Sequence, residues 1–294
     1  MANPVRAVSV VSTGSVEIRP EHVETAGSPL FWWLLTSRRW TARKPINVYV
    51  VEHERGLLLF DTGQDRASVT DPGYFPDGIV GWFYRRLARF HIQGDETLTA
   101  SLRRIGYDIG DVRTVVLSHL HQDHIGGLRE LTGAEILVSA KEWRLLQGHG
   151  AALRGLMRNH IDLPGLRWRR IDFESGGGER VGDLGPSIDL FGDGSALLLP
   201  TPGHTPGSVS LLVSGEGRPP LLLVGDVTYD VELLRQGRVP GVGSVRRLRS
   251  TTRSINALSA THPDLVVLAA HDPGAADRLR AASEQPGAGT EASR

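Results

Sequence analysis

The apolar run Val115 to Leu117 passes through Ser118 into His119-Leu120-His121-Gln122-Asp123-His124, four metal-ligand side chains within six residues. No other feature constrains the fold of this chain as strongly. Imidazole and carboxylate are the ligand types of zinc and other borderline dications, so the strand that carries them must end where a cation can sit. Extended backbone places His119 and His121 on one side. Asp123 and His124 can then turn back beside Gly126 and Gly127, whose conformational freedom permits tight geometry. One loop can serve two cations.

Three further ligand types stand alone. His204 lies in Thr201-Pro202-Gly203-His204-Thr205-Pro206-Gly207, Asp226 ends the run Leu221 to Gly225, and His271 ends Leu265 to Ala270. Each follows an apolar run that closes in turn-forming residues, as expected of loops at a sheet edge. One metal needs three or four ligands. Seven (His119, His121, Asp123, His124, His204, Asp226 and His271) suit two metals about 3.5 to 4 Å apart, bridged by a carboxylate and a solvent-derived oxygen. Asp226 is the bridge of choice, because a carboxylate has two oxygens to share. A bound dication lowers the pKa of its water towards about 7, so the implied chemistry is hydrolysis of an ester, lactone, amide or phosphodiester.

Composition narrows the field. There is no cysteine, which excludes thiolate ligands, disulfides and cysteine nucleophiles. The 33 basic and 33 acidic residues cancel, leaving no overall field that would draw the protein onto nucleic acid or an anionic membrane. The expected partner is a small molecule. The amino terminus lacks a basic segment followed by a sustained apolar one, and no run approaches the roughly 20 residues of a membrane span; a cytoplasmic location is the expectation.

Strand-like runs are Ala7 to Val11, Ile46 to Val51, Leu57 to Phe60, Thr114 to Leu117, Glu135 to Val138, Ala196 to Leu199, Val209 to Val213, Leu221 to Val224 and Leu265 to Ala269. Helical spacing marks Glu96 to Ile105, Glu142 to Gln147, Val245 to Ser259 and Ala275 to Ala282. Some strands are too close in sequence for helical crossovers, which predicts a mixed α/β sandwich rather than uniform βαβ winding. Leu57 to Gly63 echoes Leu221 to Asp226, an apolar strand ending in an acid, and suggests two related halves. Residues 1–282 read as a single metallo-hydrolase domain. Ser175 to Glu179 reads as a surface loop, and 283–294 as a disordered tail.

Two aromatic stretches, Pro29 to Leu35 and Tyr74 to Tyr84, read as core, as an apolar wall over the metal site, or as a subunit contact compatible with a homodimer. Arg246, Arg247, Arg249 and Arg253 read as a solvated helix face. His22, His53, His91, His149, His160 and His262 have no ligand-spaced neighbours and read as structural or exposed.

From Val51 to Asp272 the chain resembles the metallo-β-lactamase superfamily, whose His-x-His-x-Asp-His followed by separate His, Asp and His stands here in order. The resemblance implies an αββα sandwich with two divalent metals at one edge of its sheets. Zinc is expected first, with iron, manganese or cobalt as alternatives. It implies His119, His121 and His204 on one metal, Asp123, His124 and His271 on the other, and Asp226 between them. Asp226-Val227-Thr228-Tyr229 is similar to the Asp-x-x-Tyr of the N-acyl homoserine lactonases, where the tyrosine points at the substrate carbonyl. This likeness implies quorum quenching by lactone-ring opening, with a metal-bridging hydroxide as nucleophile. Tyr229 would then stabilise the oxyanion, Asp123 pass the proton to the departing alkoxide, and Asp61 hold a ligand histidine by its far nitrogen.

Other readings stay open: hydrolysis of an acyl thioester or an organophosphate, a mononuclear-iron persulfide dioxygenase, or a metal-bearing binding protein. Within the superfamily, lactamases with a cysteine ligand are excluded by composition. The second motif histidine, His121, is a glutamate in the flavodiiron oxygen reductases. Neither a helical glutathione-binding extension nor a nucleic-acid module is evident.

Overall fold

The computed structural model describes residues 3–175 and 178–284, in which two sheets pack against one another between outer layers of helix. The first sheet contains β1 (Val5–Ile18), β2 (Lys44–His53), β3 (Gly56–Phe60), β4 (Ala88–His91), β5 (Val112–Val116), β6 (Glu135–Ser139) and β7 (Arg167–Ile171), in the order β4-β1-β2-β3-β5-β6-β7. The second contains β8 (Ile188–Asp189), β9 (Ala196–Pro200), β10 (Val209–Val213), β11 (Leu221–Leu223) and β12 (Val266–Leu268), in the order β12-β11-β10-β9-β8. Two residues, Glu54 and Arg55, join β2 to β3 as an antiparallel pair, whereas β3, β5, β6 and β7 run parallel and have helical segments between them. That is the connection length each geometry demands.

Side-chain alternation builds the layers. In β3, Leu58 and Phe60 point into the space between the sheets while Leu57 and Leu59 point to the outer helices. In β11, Leu221 and Leu223 face inward and Leu222 outward. Such period-two runs, apolar on both faces, belong to strands covered on both sides. The outer face of the first sheet is covered by helices Leu98–Arg104 and Ala140–Gln147 through Leu98, Leu102, Trp143 and Leu146. The second is covered by helices Val231–Arg235 and Val245–Thr261 through Leu234, Ile255 and Leu258. Thr97 and Ser139 start the first two by accepting hydrogen bonds from Ala100 N and Glu142 N. The αββα sandwich expected from the sequence is present.

Several elements differ from the sequence expectation. β1 runs to Ile18 past a register irregularity between Ser12 and Ser15, and β4, β7 and β8 are additional. The aromatic stretches form helices Leu30–Thr36 and Gly78–Leu87. The last helix runs to Glu284, so Ser283 and Glu284 are helical rather than part of a tail; the remainder of that tail, and Gly176 and Gly177 of the expected loop, lie outside the described residues. None of the described helices is long and apolar enough to cross a membrane. Arg246, Arg247, Arg249 and Arg253 are all exposed.

Leu223 is fully buried between the sheets. Leu223→Ala should destabilise the protein by about 2 to 5 kcal/mol in urea unfolding, because a cavity adds to the lost transfer energy. Arg246→Ala should stay within about 0.5 kcal/mol. Equal effects of the two substitutions would contradict the layer assignment.

Candidate metal centre

All seven ligand-type side chains converge at one edge of the sandwich. The β5 exit carries His119, and a one-turn helix Gln122–Ile125 carries Asp123 and His124, with His121 at its N-cap. That turn is held to the β3 exit, since Thr62 N and Oγ1 both donate to His124 O at 2.8 Å and Gly126 N donates to Gly63 O at 2.7 Å. His204 sits in the β9–β10 loop, Asp226 at the β11 exit and His271 at the β12 exit. The His271 segment is tied to the opposite sheet: Asn47 N donates to Ala270 O (2.9 Å), Tyr49 Oη to Ala269 O (2.7 Å) and His271 Nδ1 to Pro45 O (2.9 Å).

Hydrogen bonds to the far ring nitrogens set the tautomers. His124 Nδ1 donates to Asp61 Oδ2 at 2.8 Å. Ser118 Oγ donates to Asp61 Oδ2 (2.8 Å), which leaves its lone pairs to accept from His119 Nδ1 at 3.0 Å. With Nδ1 of His119, His124 and His271 donating, each Nε2 is turned towards the site, and all three Nε2 atoms are buried without a partner, as is Asp226 Oδ1. His121 Nε2 donates to Arg154 O (3.0 Å), turning its Nδ1 towards His204 Nε2 at 2.9 Å.

Three groups of three result, His119 with His121 and His204, Asp123 with His124 and His271, and His119 with His124 and Asp226, which joins the other two, the ligand atoms of each lying within 4.8 Å of one another. Asp226 faces the first two groups: Oδ1 is 3.3 Å from His124 Nε2 and 3.4 Å from His271 Nε2, and Oδ2 is 3.5 Å from His204 Nε2. Buried polar atoms without a partner cost about 1 to 3 kcal/mol each. A pair of divalent cations relieves that cost, so the donor set fits one.

Protonation favours the same occupant. Burial pushes His204 down to about 3 and, with neighbouring His124 and His121, holds His119 well below its ordinary value. Burial also lowers His121. Burial works against ionisation of Asp226, yet His271 and His124 hold its carboxyl well below the usual range. For His124, burial is outweighed by Asp61 and Asp226, which raise it well above its ordinary value. Without a cation that basicity holds a proton on His124 Nε2 towards Asp226, and a cation bound there would take the proton's place.

Asp61 has φ of 64°, the one positive value outside glycine among the described residues. A carboxylate there receives Ser118 N (2.7 Å) as well as Ser118 Oγ and His124, so the strained backbone aims one side chain at three donors. Gly225 has φ of 54°, and a Cβ there would stand 2.8 Å from the Ser118 side chain. The two strand-to-acid turns that echoed in sequence therefore come from different sheets and meet at Ser118.

Tyr229 Oη donates to Asp226 Oδ2 at 2.8 Å, and its ring stacks on His271 at 5.4 Å between centroids. Burial first, then Asp226 and Asp123, raise its pKa well above 10, which keeps the phenol protonated. Above this floor lies a cavity of about 540 Å³ walled by Ile18, Leu30, Phe31, Phe83, Phe90 and Leu156. Phe31 meets Phe83 edge-on at 5.6 Å. Both aromatic stretches thus contribute to the cavity wall, and Phe31, Trp32, Leu35, Ile79 and Trp82 on them are also exposed.

Three residues of the site escaped sequence reasoning. Ser118 joins Asp61 to His119, and its place between the apolar run and the first histidine was a usable signal. Glu142 is fully buried, accepting from Leu120 N (3.2 Å) and Thr205 Oγ1 (2.7 Å), so one carboxylate links the His119–His121 and His204 loops. Burial raises its pKa against those two hydrogen bonds. A lone acid in a helical segment carries no signal for this. His22, expected to be structural or exposed, lines the cavity with Nδ1 buried and unpartnered.

Residues 42–271 match the Metallo-beta-lactamase superfamily, and the chain belongs to it. It is 30% identical over 243 residues to the N-acyl homoserine lactonase AttM of Rhizobium radiobacter, covering 82% of this chain and 86% of that relative. Among solved structures, an N-acyl homoserine lactone hydrolase with the product N-hexanoyl-L-homoserine at its catalytic metal centre superposes with a TM-score of 0.72 at 23% identity, over 93% of this chain and 95% of that one. AidC, a dizinc quorum-quenching lactonase in complex with product, superposes with a TM-score of 0.62 at 18% identity, over 94% and 92%.

Asp61→Asn leaves an oxygen but replaces one acceptor by a donor. It should weaken metal binding by roughly 10- to 100-fold in competition with a chelator, with secondary structure retained by circular dichroism. Glu142→Ala should loosen both ligand loops and lower metal affinity, and Glu142→Gln should recover most of it. Unaltered affinity in Asp61→Asn and Glu142→Ala would show that the loops hold their geometry alone.

Proposed function

We propose that this protein is a two-zinc lactonase that opens the ring of N-acyl homoserine lactones, and so acts in quorum quenching. The observation that carries the reading is Tyr229: its hydroxyl lies on Asp226 Oδ2 at 2.8 Å, at the floor of an apolar cavity and beside both ligand groups. The relative named as an N-acyl homoserine lactonase, matched along most of both chains, supports the substrate class. Zinc is favoured by the all His and carboxylate donor set and by the dizinc neighbour.

In this reading His119, His121 and His204 hold one ion and Asp123, His124 and His271 the other, with Asp226 shared. The ions, when bound, make hydroxide available at neutral pH and polarise the lactone carbonyl. Tyr229, protonated because it is buried, turns its one O–H from Asp226 Oδ2 to the carbonyl oxygen as negative charge grows on it. Attack on the carbonyl carbon is followed by cleavage of the ring C–O bond, leaving a carboxylate and an alkoxide. Asp123, whose side chain is more solvent-accessible than that of Asp226, takes up the proton shed by the new carboxyl group and passes it to that alkoxide. Ile18, Leu30 and Phe90 exclude water from the acyl chain.

Purified protein should release protons from N-hexanoyl homoserine lactone, lose this activity with a chelator, and regain it with zinc. A zinc-loaded preparation inert on lactones of every chain length would refute the assignment. Tyr229→Phe should lower kcat on the order of 10²-fold with metal content unchanged. Unchanged turnover would remove Tyr229 from the chemistry.

The reading includes a homodimer. The helices Leu30–Thr36 and Gly78–Leu87 meet through Phe31 and Phe83 and carry exposed Trp32, Leu35, Ile79 and Trp82, and exposed apolar groups of this kind mark contact surfaces. Light scattering should give twice the 32.0 kDa chain mass, and Trp32→Glu with Trp82→Glu should return it to the monomer. A monomer in the unsubstituted protein would remove the dimer.

A further inference from the structure

We infer that His22 is a specificity-determining residue that hydrogen-bonds the amide group next to the lactone ring. This rests on the lactonase reading and names the group that reads its substrate. His22 lies in the short helix Pro20–Val23, 8% exposed, and lines the cavity together with Tyr229 and Asp226. Its ring packs edge-on to Trp33 at 5.1 Å and to Tyr229 at 6.3 Å. Its backbone is pinned, with His22 N donating to Arg19 O (2.9 Å) and His22 O accepting from Gly241 N (3.2 Å). The ring's location is therefore set by packing.

The imidazole has no hydrogen bond to any described residue, and Nδ1 is enclosed. Around it the wall is apolar, through Val16, Ile18, Leu30 and Phe90. A buried polar ring without partners is a cost that a phenyl or leucine would avoid. Its use must lie in something that enters the cavity. A neutral imidazole carries one donor and one acceptor on divergent nitrogens, and with Nδ1 enclosed it is Nε2 that can make one hydrogen bond to the N–H or the C=O of an entering amide. If Tyr229 faces the lactone carbonyl, a group beside Tyr229 meets the substituent on the adjacent ring carbon. In an N-acyl homoserine lactone that substituent is the amide; in a simple γ-alkyl lactone it is absent.

The test is a ratio of kcat/KM on the zinc-loaded enzyme, N-hexanoyl homoserine lactone over γ-caprolactone. His22→Phe should lower the ratio about three- to tenfold, the size of one neutral hydrogen bond, with the change mainly in KM. Its melting temperature should equal or exceed that of the unsubstituted protein. His22→Gln, which restores a donor and an acceptor, should recover most of the ratio, and His22→Leu supplies a second apolar replacement should the phenyl variant misfold. A ratio unchanged in the apolar variants, or one no better in His22→Gln than in them, would overturn the assignment and leave His22 a packing residue. If the unsubstituted enzyme opens neither lactone, the lactonase reading falls and this assignment falls with it.

Discussion

Four buried polar atoms without a partner, Nε2 of His119, His124 and His271 and Oδ1 of Asp226, converge where strands of two different sheets end. All four are buried, and none has a hydrogen-bond partner among the described residues. Hydrophobic burial between the sheets can hold the strands together, but it gives no reason for turning polar atoms towards one another. Cation binding does, and because its ligands come from both sheets it would clamp the sandwich at the edge where β5, β11 and β12 end. Metal affinity and folding are then linked quantities, and the outer scaffold can be read as what keeps this convergence affordable.

Orientation comes from residues that touch no other molecule. Asp61 accepts from Ser118 and His124, Ser118 accepts from His119, Pro45 O accepts from His271, and Arg154 O accepts from His121. Each ligand imidazole so held spends its far nitrogen on the protein and keeps the near one free. Glu142 does for backbone what Asp61 does for rings, joining Leu120 N to Thr205 Oγ1. These groups sit on strand ends and a capped helix, whose rigidity sets the tolerance of the site.

The ligand cluster was legible in the sequence because its residues are rare, close together and placed after apolar runs. The central strands were legible because burial on both faces requires continuous Val, Leu and Ile. β7, Arg167-Trp168-Arg169-Arg170-Ile171, was not: it is an edge strand whose exposed arginines break the apolar pattern while shielding the edge from further pairing. β1 was read short because of the irregularity between Ser12 and Ser15, with Gly14 at φ of 107°. Helices Leu30–Thr36 and Gly78–Leu87 were read only as aromatic stretches, because apolar residues such as Phe31, Trp32, Ile79 and Trp82 stand exposed on them and few polar positions mark a solvent face. His22 and Glu142 could not be found by spacing, because their roles arise from chain segments far apart in sequence.

The positions where sequence reasoning failed share a physical character with the one strained residue. Asp61 occupies a left-handed conformation, Glu142 is a buried acid, and His22 is a buried imidazole without a partner. Each breaks a local rule that the rest of the chain obeys, and all three lie within the shell of the same cavity edge. A sequence under selection for stability alone would replace them by glycine, leucine and phenylalanine. Consistency across levels is what makes a chain fold, so violations gathered in one place mark where another requirement prevails. For Asp61 and Glu142 that requirement is visible in the donors they receive. For His22 no described residue meets it, which is why its partner is to be sought in the substrate.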